Sequence, residues 1–311
     1  MNGILIIDKP AGLTSHDVVN RVRRIVQQRS VGHLGTLDPL ATGVLPLVLG
    51  RMTRLAQFYT ASEKTYEGLI RFGFATDTFD ADGQPTSAQQ ICKASLEELR
   101  DLAAQFRGSI QQMPPPFSAK KIGGIPAYKL ARKHKDFALK PVQVEIKEFE
   151  LLGFENSNLE RQTQQGSGVR FRARVASGTY MRSVAHDMGQ QLGCGAHLES
   201  LRRTQLAEFQ ISDAHRLEEL EEAAQCHRLE EVMVHPRKVL PEMPAVTASE
   251  ESAVRIRSGR TVNLPELSRA RHVKVFSGQA ELIAIATRVA GTLFHPKIVL
   301  ATDSVSKSLT G

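Results

Sequence analysis

Residues 143–153, QVEIKEFELLG, and residues 169–176, VRFRARVA, largely alternate apolar and polar side chains. Such alternation is typical of half-buried strands, because successive side chains of a strand point to opposite faces of its sheet. The segment between them, 156–168 (NSNLERQTQQGSG), is rich in Gln, Asn and Gly and predicts a mobile loop joining two strands. Turn signals between successive strands favour a largely antiparallel sheet over a doubly wound one.

Four amphipathic helices are predicted from the spacing of apolar residues every three to four positions. They cover 15–28, 96–106, 180–192 and a segment after Ser212. The first two begin at capping boxes, formed by Thr14 with Asp17 and by Ser95 with Glu98. Strands and helices together predict an α+β domain over 1–232, with a mixed, largely antiparallel sheet flanked by helices.

The character of the sequence changes near residue 233, where HPRKVLPEMPAV contains three prolines and predicts a connector over 233–245. Short β-like runs follow at 272–276, 281–286 and 292–300. These runs predict a small, mostly β domain at 246–311, which carries nine Lys and Arg residues against five Asp and Glu.

Composition limits the class of protein. The chain has 311 residues, which favours two domains over one. The sequence predicts neither a signal peptide nor an apolar run of the roughly 20 residues that cross a bilayer. None of its three cysteines forms a CxxC pair, which argues against a disulfide framework or zinc site and favours the cytoplasm. The net charge of +7 favours a polyanionic partner, and the Lys/Arg-rich segment 118–140 indicates where cations concentrate.

Residues 32–43, GHLGTLDPLATG, form the segment most suggestive of chemistry. Three glycines allow unusual backbone conformations, and Pro39 biases Asp38 toward an extended one, so the loop presents a single carboxylate before a buried strand, Val44–Leu49. Such an aspartate is a candidate nucleophile or base, although Asp-Pro pairs also cap ordinary turns. The absence of a following Lys-Ser/Thr excludes a phosphate-binding loop.

Residues 76–83, TDTFDADG, are partly similar to a calcium-binding loop. If Asp80 and Asp82 take ligand positions three and five, position twelve falls on Gln89, which has no carboxylate. This spacing argues against calcium and predicts a turn, or a contact network behind the active site.

Several motifs together resemble a known family. GHLGTLDPLATGVLP is similar to the signature of the bacterial TruB family of tRNA pseudouridine-55 synthases. Further family motifs occur in the expected order, and the resemblance extends from residue 3 to about residue 213. They are ILIIDKPAGLTSHDVV, KTYEG, TDTFDADG, PPPFSAKKIGG, SGTYMRSVAHDMG and GCGAHLESLRRT.

The resemblance implies a pseudouridine synthase fold and an isomerase that converts uridine-55 in the T loop of tRNA to pseudouridine. The reaction breaks the bond between ribose C1′ and N1 and joins C1′ to C5, so it requires neither metal nor cofactor. Asp38 matches the family nucleophile. Whether its carboxylate adds to the base or attacks C1′ is open at this level.

The resemblance also implies roles for five further residues. Arg182 matches the arginine that pairs with the nucleophile, and Tyr66 matches the tyrosine that stacks on the target base and is a candidate for handling the C5 proton. Tyr180 matches a second tyrosine that contacts the substrate, and Leu201 matches an apolar contact to the flipped base. His33 matches the histidine that fills the place vacated in the T loop. Taken singly, Tyr66, His33 and Arg182 would be an ordinary core, loop and surface residue, respectively.

The expected partner is the T-arm stem-loop of tRNA, bound by a monomer, with 118–140 closing over the RNA backbone. The C-terminal domain resembles the small RNA-binding barrels of the family, which implies a PUA-like domain. Two alternatives remain at this level. One is a non-catalytic RNA-binding or RNA-folding protein on the same scaffold, and the other is a pseudouridine synthase for another RNA. RNA-folding activity is also compatible with catalysis.

Overall fold

The computed structural model describes residues 1–117, 121–122, 125–126, 139–155 and 168–301. The loop predicted at 156–168, except for Gly168, lies outside these ranges, as do most of the cationic segment 118–140 and residues 302–311. No helix within the described ranges combines the length and apolar character needed to cross a membrane.

A large sheet contains nine strands within the described residues. They are β1 (Gly3–Lys9), β2 (Val31–His33), β3 (Thr42–Leu49), β4 (Lys64–Phe72), β5 (Gly108–Gln112), β8 (Val142–Phe154), β9 (Gly168–Val175), β10 (Ala196–Leu206) and β11 (Phe209–Gln210). A separate pair is formed by β6 (Lys121–Ile122) and β7 (Ile125–Pro126). The large sheet runs β1-β3-β10-β4-β9-β8-β5, with β2 on β3 and β11 on β10. Its described pairings are antiparallel except for β3 with β10.

The helices agree with the predicted positions. They are α1 (Ser15–Ile25), α2 (Leu96–Ala104), α3 (Met181–Gln191) and α4 (Leu217–Gln225). Both predicted capping boxes form, at the first residues of α1 and α2. In each, the cap hydroxyl accepts a hydrogen bond from the backbone amide three residues later, and the acid at that position accepts one from the amide of the cap residue.

Buried residues lie on both faces of the large sheet. Leu5 and Ile7 of β1 belong to the core under the helices, whereas Ile4 and Ile6 belong to a second core on the other face. Two covered faces explain why Ile4–Ile7 is a continuous apolar run rather than an alternating one.

A second sheet contains β12 (Ala245–Ala248), β13 (Val262–Asn263), β14 (His272–Ser277), β15 (Glu281–Ala290) and β16 (Leu293–Val299). Its strands lie in the order β12-β14-β15-β16-β13. It includes the three predicted β runs. Its helix α5 (Glu250–Arg257), capped by Ser249, was not predicted from the sequence. Phe276, Ile285 and Ile298 share the second core with β1.

The α+β fold class is confirmed, with a largely antiparallel sheet, flanking helices and a small, mostly β C-terminal part. The boundaries 1–232, 233–245 and 246–311 stay a prediction.

Candidate active site

The loop that carries Asp38 joins β2 to β3 and ends where β3 meets β10. Gly43 has a φ of +96°, and a Cβ there would lie 2.2 Å from the carbonyl oxygen of Arg203. Only glycine tolerates both this conformation and this approach. The parallel pairing of Thr42 with Arg202 and of Gly43 with Arg203 therefore brings the Asp38 loop against β10.

Buried polar groups hold the backbone on both sides of Asp38. The Ser15 hydroxyl accepts from the amide of Leu37 at 2.8 Å and donates to its carbonyl at 3.1 Å. The buried Lys9 ammonium donates to the carbonyl of Pro39 at 3.2 Å. Burial lowers the pKa of Lys9 to about 8, and the nearby Asp38 carboxylate opposes that change. With the residues before and after it fixed, Asp38 has a preformed position.

Arg203 supports the same loop from β10. Its buried guanidinium donates to the carbonyl oxygens of Gly35 at 2.9 Å and Val44 at 2.7 Å. Tyr66 lies directly opposite Arg203 in the pairing of β4 with β10. Arg203 therefore links the position of the Asp38 loop to that of the tyrosine.

Arg182 is the immediate partner of Asp38. Its Nη2 lies 3.0 Å from Oδ2 of Asp38 and also donates to the carbonyl of Phe117 at 3.0 Å. Its Nη1 lies 3.4 Å from Oδ2 of Asp80 and donates to the carbonyl of Thr78 at 3.2 Å. The Arg182 side chain is 5% exposed, whereas that of Asp38 is 39% exposed. A buried, fixed cation thus stabilises the negative charge of a carboxylate that remains open to a ligand.

Five of the six predicted site residues line one cavity of about 280 Å³. They are Asp38, Tyr66, Tyr180, Arg182 and Leu201. The structure brings them together from the loop, β4, α3 and β10, which are far apart in sequence. An aromatic and an apolar wall beside one carboxylate suits a flat ring held for attack by that carboxylate.

His33 lies in an adjoining cavity of about 470 Å³, which shares Asp38 and Arg182 with the first. Its Nδ1 accepts from the amide of Gly35 at 3.3 Å. Burial lowers the pKa of His33, and the neighbouring charges of Arg203 and His16 lower it further. His33 is therefore a partly buried neutral ring beside Asp38 rather than a wall of the cavity that contains Tyr66.

Several residues that shape this site were not predicted from the sequence. Lys9, Ser15 and Arg203 fix the loop, and Lys64 lines the smaller cavity, where burial and the charge of Arg203 lower its pKa to about 8. The motifs ILIIDKPAGLTSHDVV, KTYEG and GCGAHLESLRRT contain all four. Nothing in a single sequence distinguishes a buried lysine bound to carbonyls from a solvated one.

Within the described ranges, no cluster of three or more His, Cys, Asp or Glu side chains could hold a metal ion. The carboxylate of Asp80 contacts Arg182 and accepts hydrogen bonds from the Thr78 hydroxyl and the Asp82 amide. TDTFDADG therefore supplies a contact network directly behind Arg182.

Two family models match the chain. A TruB family pseudouridylate synthase N-terminal domain covers residues 23–181, and a tRNA pseudouridylate synthase B C-terminal domain covers residues 182–243. Relatives named tRNA pseudouridine synthase B include one from Solibacter usitatus, 48% identical over 96% of this chain and all of its own length. Another, from Bacillus cytotoxicus, is 36% identical over 96% of this chain and 94% of its own.

Among solved structures, the chain is similar to one described as a Cbf5–Nop10–Gar1 complex. The TM-score is 0.69 at 23% identity, covering 96% of this chain and 85% of that one. At this identity the likeness shows the fold alone. The Solibacter usitatus relative, by contrast, matches this chain in sequence over nearly the whole length of both proteins. The chain therefore belongs to the TruB family of pseudouridylate synthases.

Proposed function

We propose that this protein converts uridine-55 in the T loop of tRNA to pseudouridine, with Asp38 as the nucleophile. The observation that carries the proposal is the half-exposed Asp38 carboxylate, 3.0 Å from a buried Arg182 guanidinium, in a cavity walled by Tyr66. The name tRNA pseudouridine synthase B, shared by relatives at up to 48% identity, supports tRNA as the substrate.

The groups in the cavity match the demands of the reaction. Isomerisation breaks the C1′–N1 bond, forms a C1′–C5 bond, removes a proton from C5 and adds one at N1. Without redox change or lost atoms, it needs no metal or cofactor. Addition of the Asp38 carboxylate to the base and its attack on C1′ both begin with the same ionised oxygen, which Arg182 stabilises. Tyr66 supports a stacked base and is the candidate for moving the C5 proton.

The target nucleotide has to leave its stack before it reaches Asp38, at a cost of a few kcal/mol. The cavity lined by Tyr66, Tyr180 and Leu201 suits the extruded base. His33 lines the adjoining cavity, which shares Asp38 with the first, and its ring suits the proposed place between bases of the opened loop. Aromatic stacking there would recover part of the extrusion cost.

An unmodified T-arm stem-loop tests the proposal directly. We expect Asp38→Asn to lower the single-turnover rate by at least about 10³-fold while leaving RNA binding within a few-fold, because the amide keeps the shape but not the nucleophile. Asp101→Asn, on the exposed side of α2, is the matched control and should react normally. Wild-type turnover by Asp38→Asn would exclude Asp38 as the nucleophile.

The substrate is tested separately by mapping pseudouridines in cells that lack the protein. Loss confined to the T loop supports uridine-55, whereas loss in another RNA would retain the chemistry and change the substrate. An Asp38→Asn protein that still restores tRNA folding would reveal an accompanying folding activity. We expect a monomeric cytoplasmic enzyme, consistent with a partner that is RNA.

A further inference from the structure

Phe79 occupies a strained position next to the active site. Its φ is +66°, a left-handed conformation that bulky side chains rarely adopt. Its two neighbours, Thr78 and Asp80, are the residues of this loop that contact Arg182. A change in the backbone of Phe79 would therefore move both contacts together.

The Phe79 ring stacks on the imidazole of His186, with ring centroids 3.7 Å apart and planes inclined by 12°. His186 lies four residues after Arg182 on α3, so the two side chains project from the same face of the helix. Among the described residues, the buried Nδ1 of His186 has no hydrogen-bond partner. Stacking on Phe79, and not a hydrogen bond at Nδ1, is therefore a described contact of this imidazole.

The backbone of the loop is attached to β10 on its other side. The amide of Leu198 donates to the carbonyl of Phe79 at 3.0 Å, and the amide of Ala81 donates to the carbonyl of Leu198 at 3.0 Å. The loop is thus held between β10 and α3, with the Phe79 ring as its contact to the helix.

We propose that Phe79, stacked on His186, is a positioning residue that keeps Thr78 and Asp80 on Arg182 and, through them, keeps Arg182 on Asp38. Strained backbone persists where the surroundings overdetermine it, and here the stack and the bonds to Leu198 do so. Without the ring, the loop can relax and carry the Asp80 carboxylate away from the guanidinium. The inference rests on the proposed role of Arg182 beside Asp38.

Two substitutions separate the ring from the backbone. Phe79→Gly accepts a positive φ without strain but removes the ring, whereas Phe79→Tyr keeps the ring. Single-turnover release of tritium from C5-labelled uridine in unmodified tRNA reports the rate at any modified position. We expect Phe79→Gly to lose between about tenfold and a hundredfold in rate, the order of a small misplacement of a catalytic group. Phe79→Tyr and His186→Phe should remain near wild type, and none should weaken tRNA binding appreciably.

A double-mutant cycle with Asp80→Asn distinguishes positioning from a general loss of structure. If Phe79 acts through Asp80, Phe79→Gly should add little to the loss already caused by Asp80→Asn, with rates referred to the folded fraction. Fully additive losses, a wild-type rate for Phe79→Gly, or an equal loss in Phe79→Tyr would each overturn the inference. Asp38→Asn, measured in the same series, reports on the nucleophile independently, because the cycle compares Phe79 with Asp80 alone.

Discussion

Two aspartates meet the same guanidinium in very different surroundings. Asp38 contacts Nη2 of Arg182 from a loop before β3, and its side chain is 39% exposed. Asp80 contacts Nη1 from the loop after β4, and its side chain is 6% exposed. Burial raises the pKa of Asp80, while the Thr78 hydroxyl and the Arg182 charge oppose that effect.

This difference distinguishes a reacting carboxylate from one that orients its partner. The oxygens of Asp80 are occupied by Thr78, Asp82 and Arg182, so this residue has little capacity left for a ligand. Asp38 is constrained through the backbone of its neighbours, which leaves its side chain open to the cavity. Substitutions at Arg182, at Asp80, at a residue that supports the Asp38 loop and elsewhere on α3 should therefore have effects of decreasing size.

The largest of these effects is expected for Arg182→Lys. The guanidinium meets two carboxylates and two carbonyls, a set that one lysine ammonium cannot span. We expect the single-turnover rate to fall by about 10²–10³-fold, as for the loss of one preorganised charge contact. Arg172→Lys, an exposed position of β9, is the matched control. A rate within threefold of wild type, by the same tritium-release measurement, would contradict the shared role of Arg182.

Asp80→Asn should have the next largest effect. The amide keeps the size of the side chain but removes the charge facing Nη1 of Arg182, so the guanidinium loses one of its two carboxylate partners. We expect a rate lower by about tenfold to a hundredfold, with RNA affinity preserved. The carboxylate of Asp77, in the same loop, accepts a hydrogen bond from the amide of Gln84. Asp77→Asn is therefore the matched control and should react at nearly the wild-type rate. Equal losses in both variants would show that the loop, and not the charge, matters.

Ser15→Ala addresses the support of Asp38. It leaves the buried amide and carbonyl of Leu37 without their hydroxyl partner, which costs about 1–3 kcal/mol in the free energy of unfolding. We expect a rate reduction of only a few-fold, since Lys9 and Arg203 still hold the loop. Ser95→Ala removes a helix cap that lines neither cavity of the site, and it should cost about 1 kcal/mol without slowing the reaction. Denaturant titration and single-turnover rates, compared between the two variants, separate these effects.

The contrast also shows what a sequence can reveal. Strands and helices were predictable because their apolar periodicity is local, and Asp38 and Arg182 stood in motifs with a family match. Lys9, Ser15 and Arg203 were missed because their partners are backbone carbonyls or amides up to 168 positions away, which leave no sequence pattern. The pairing of Asp80 with Arg182, 102 positions apart, depends on the docking of α3 against the loop after β4. Helix α5 had a cap at Ser249 that could have identified it.

The smallest effect is expected at a third aspartate, Asp187, which lies on α3 with Arg182. Burial raises the pKa of Asp187 to about 6, so the folded state binds its proton more tightly than the unfolded state does. Stability from this group is present at low pH and is lost as pH rises through about 6.

Because the side chain is partly exposed, we expect Asp187→Asn to raise the free energy of unfolding by about 1 kcal/mol at pH 8 and by less at pH 5. The exposed Asp101→Asn should show no such difference in thermal unfolding, and a gain for Asp187→Asn that is equal at both pH values would exclude a titration effect. An unchanged reaction rate would separate the Asp187 carboxylate from the two that share Arg182.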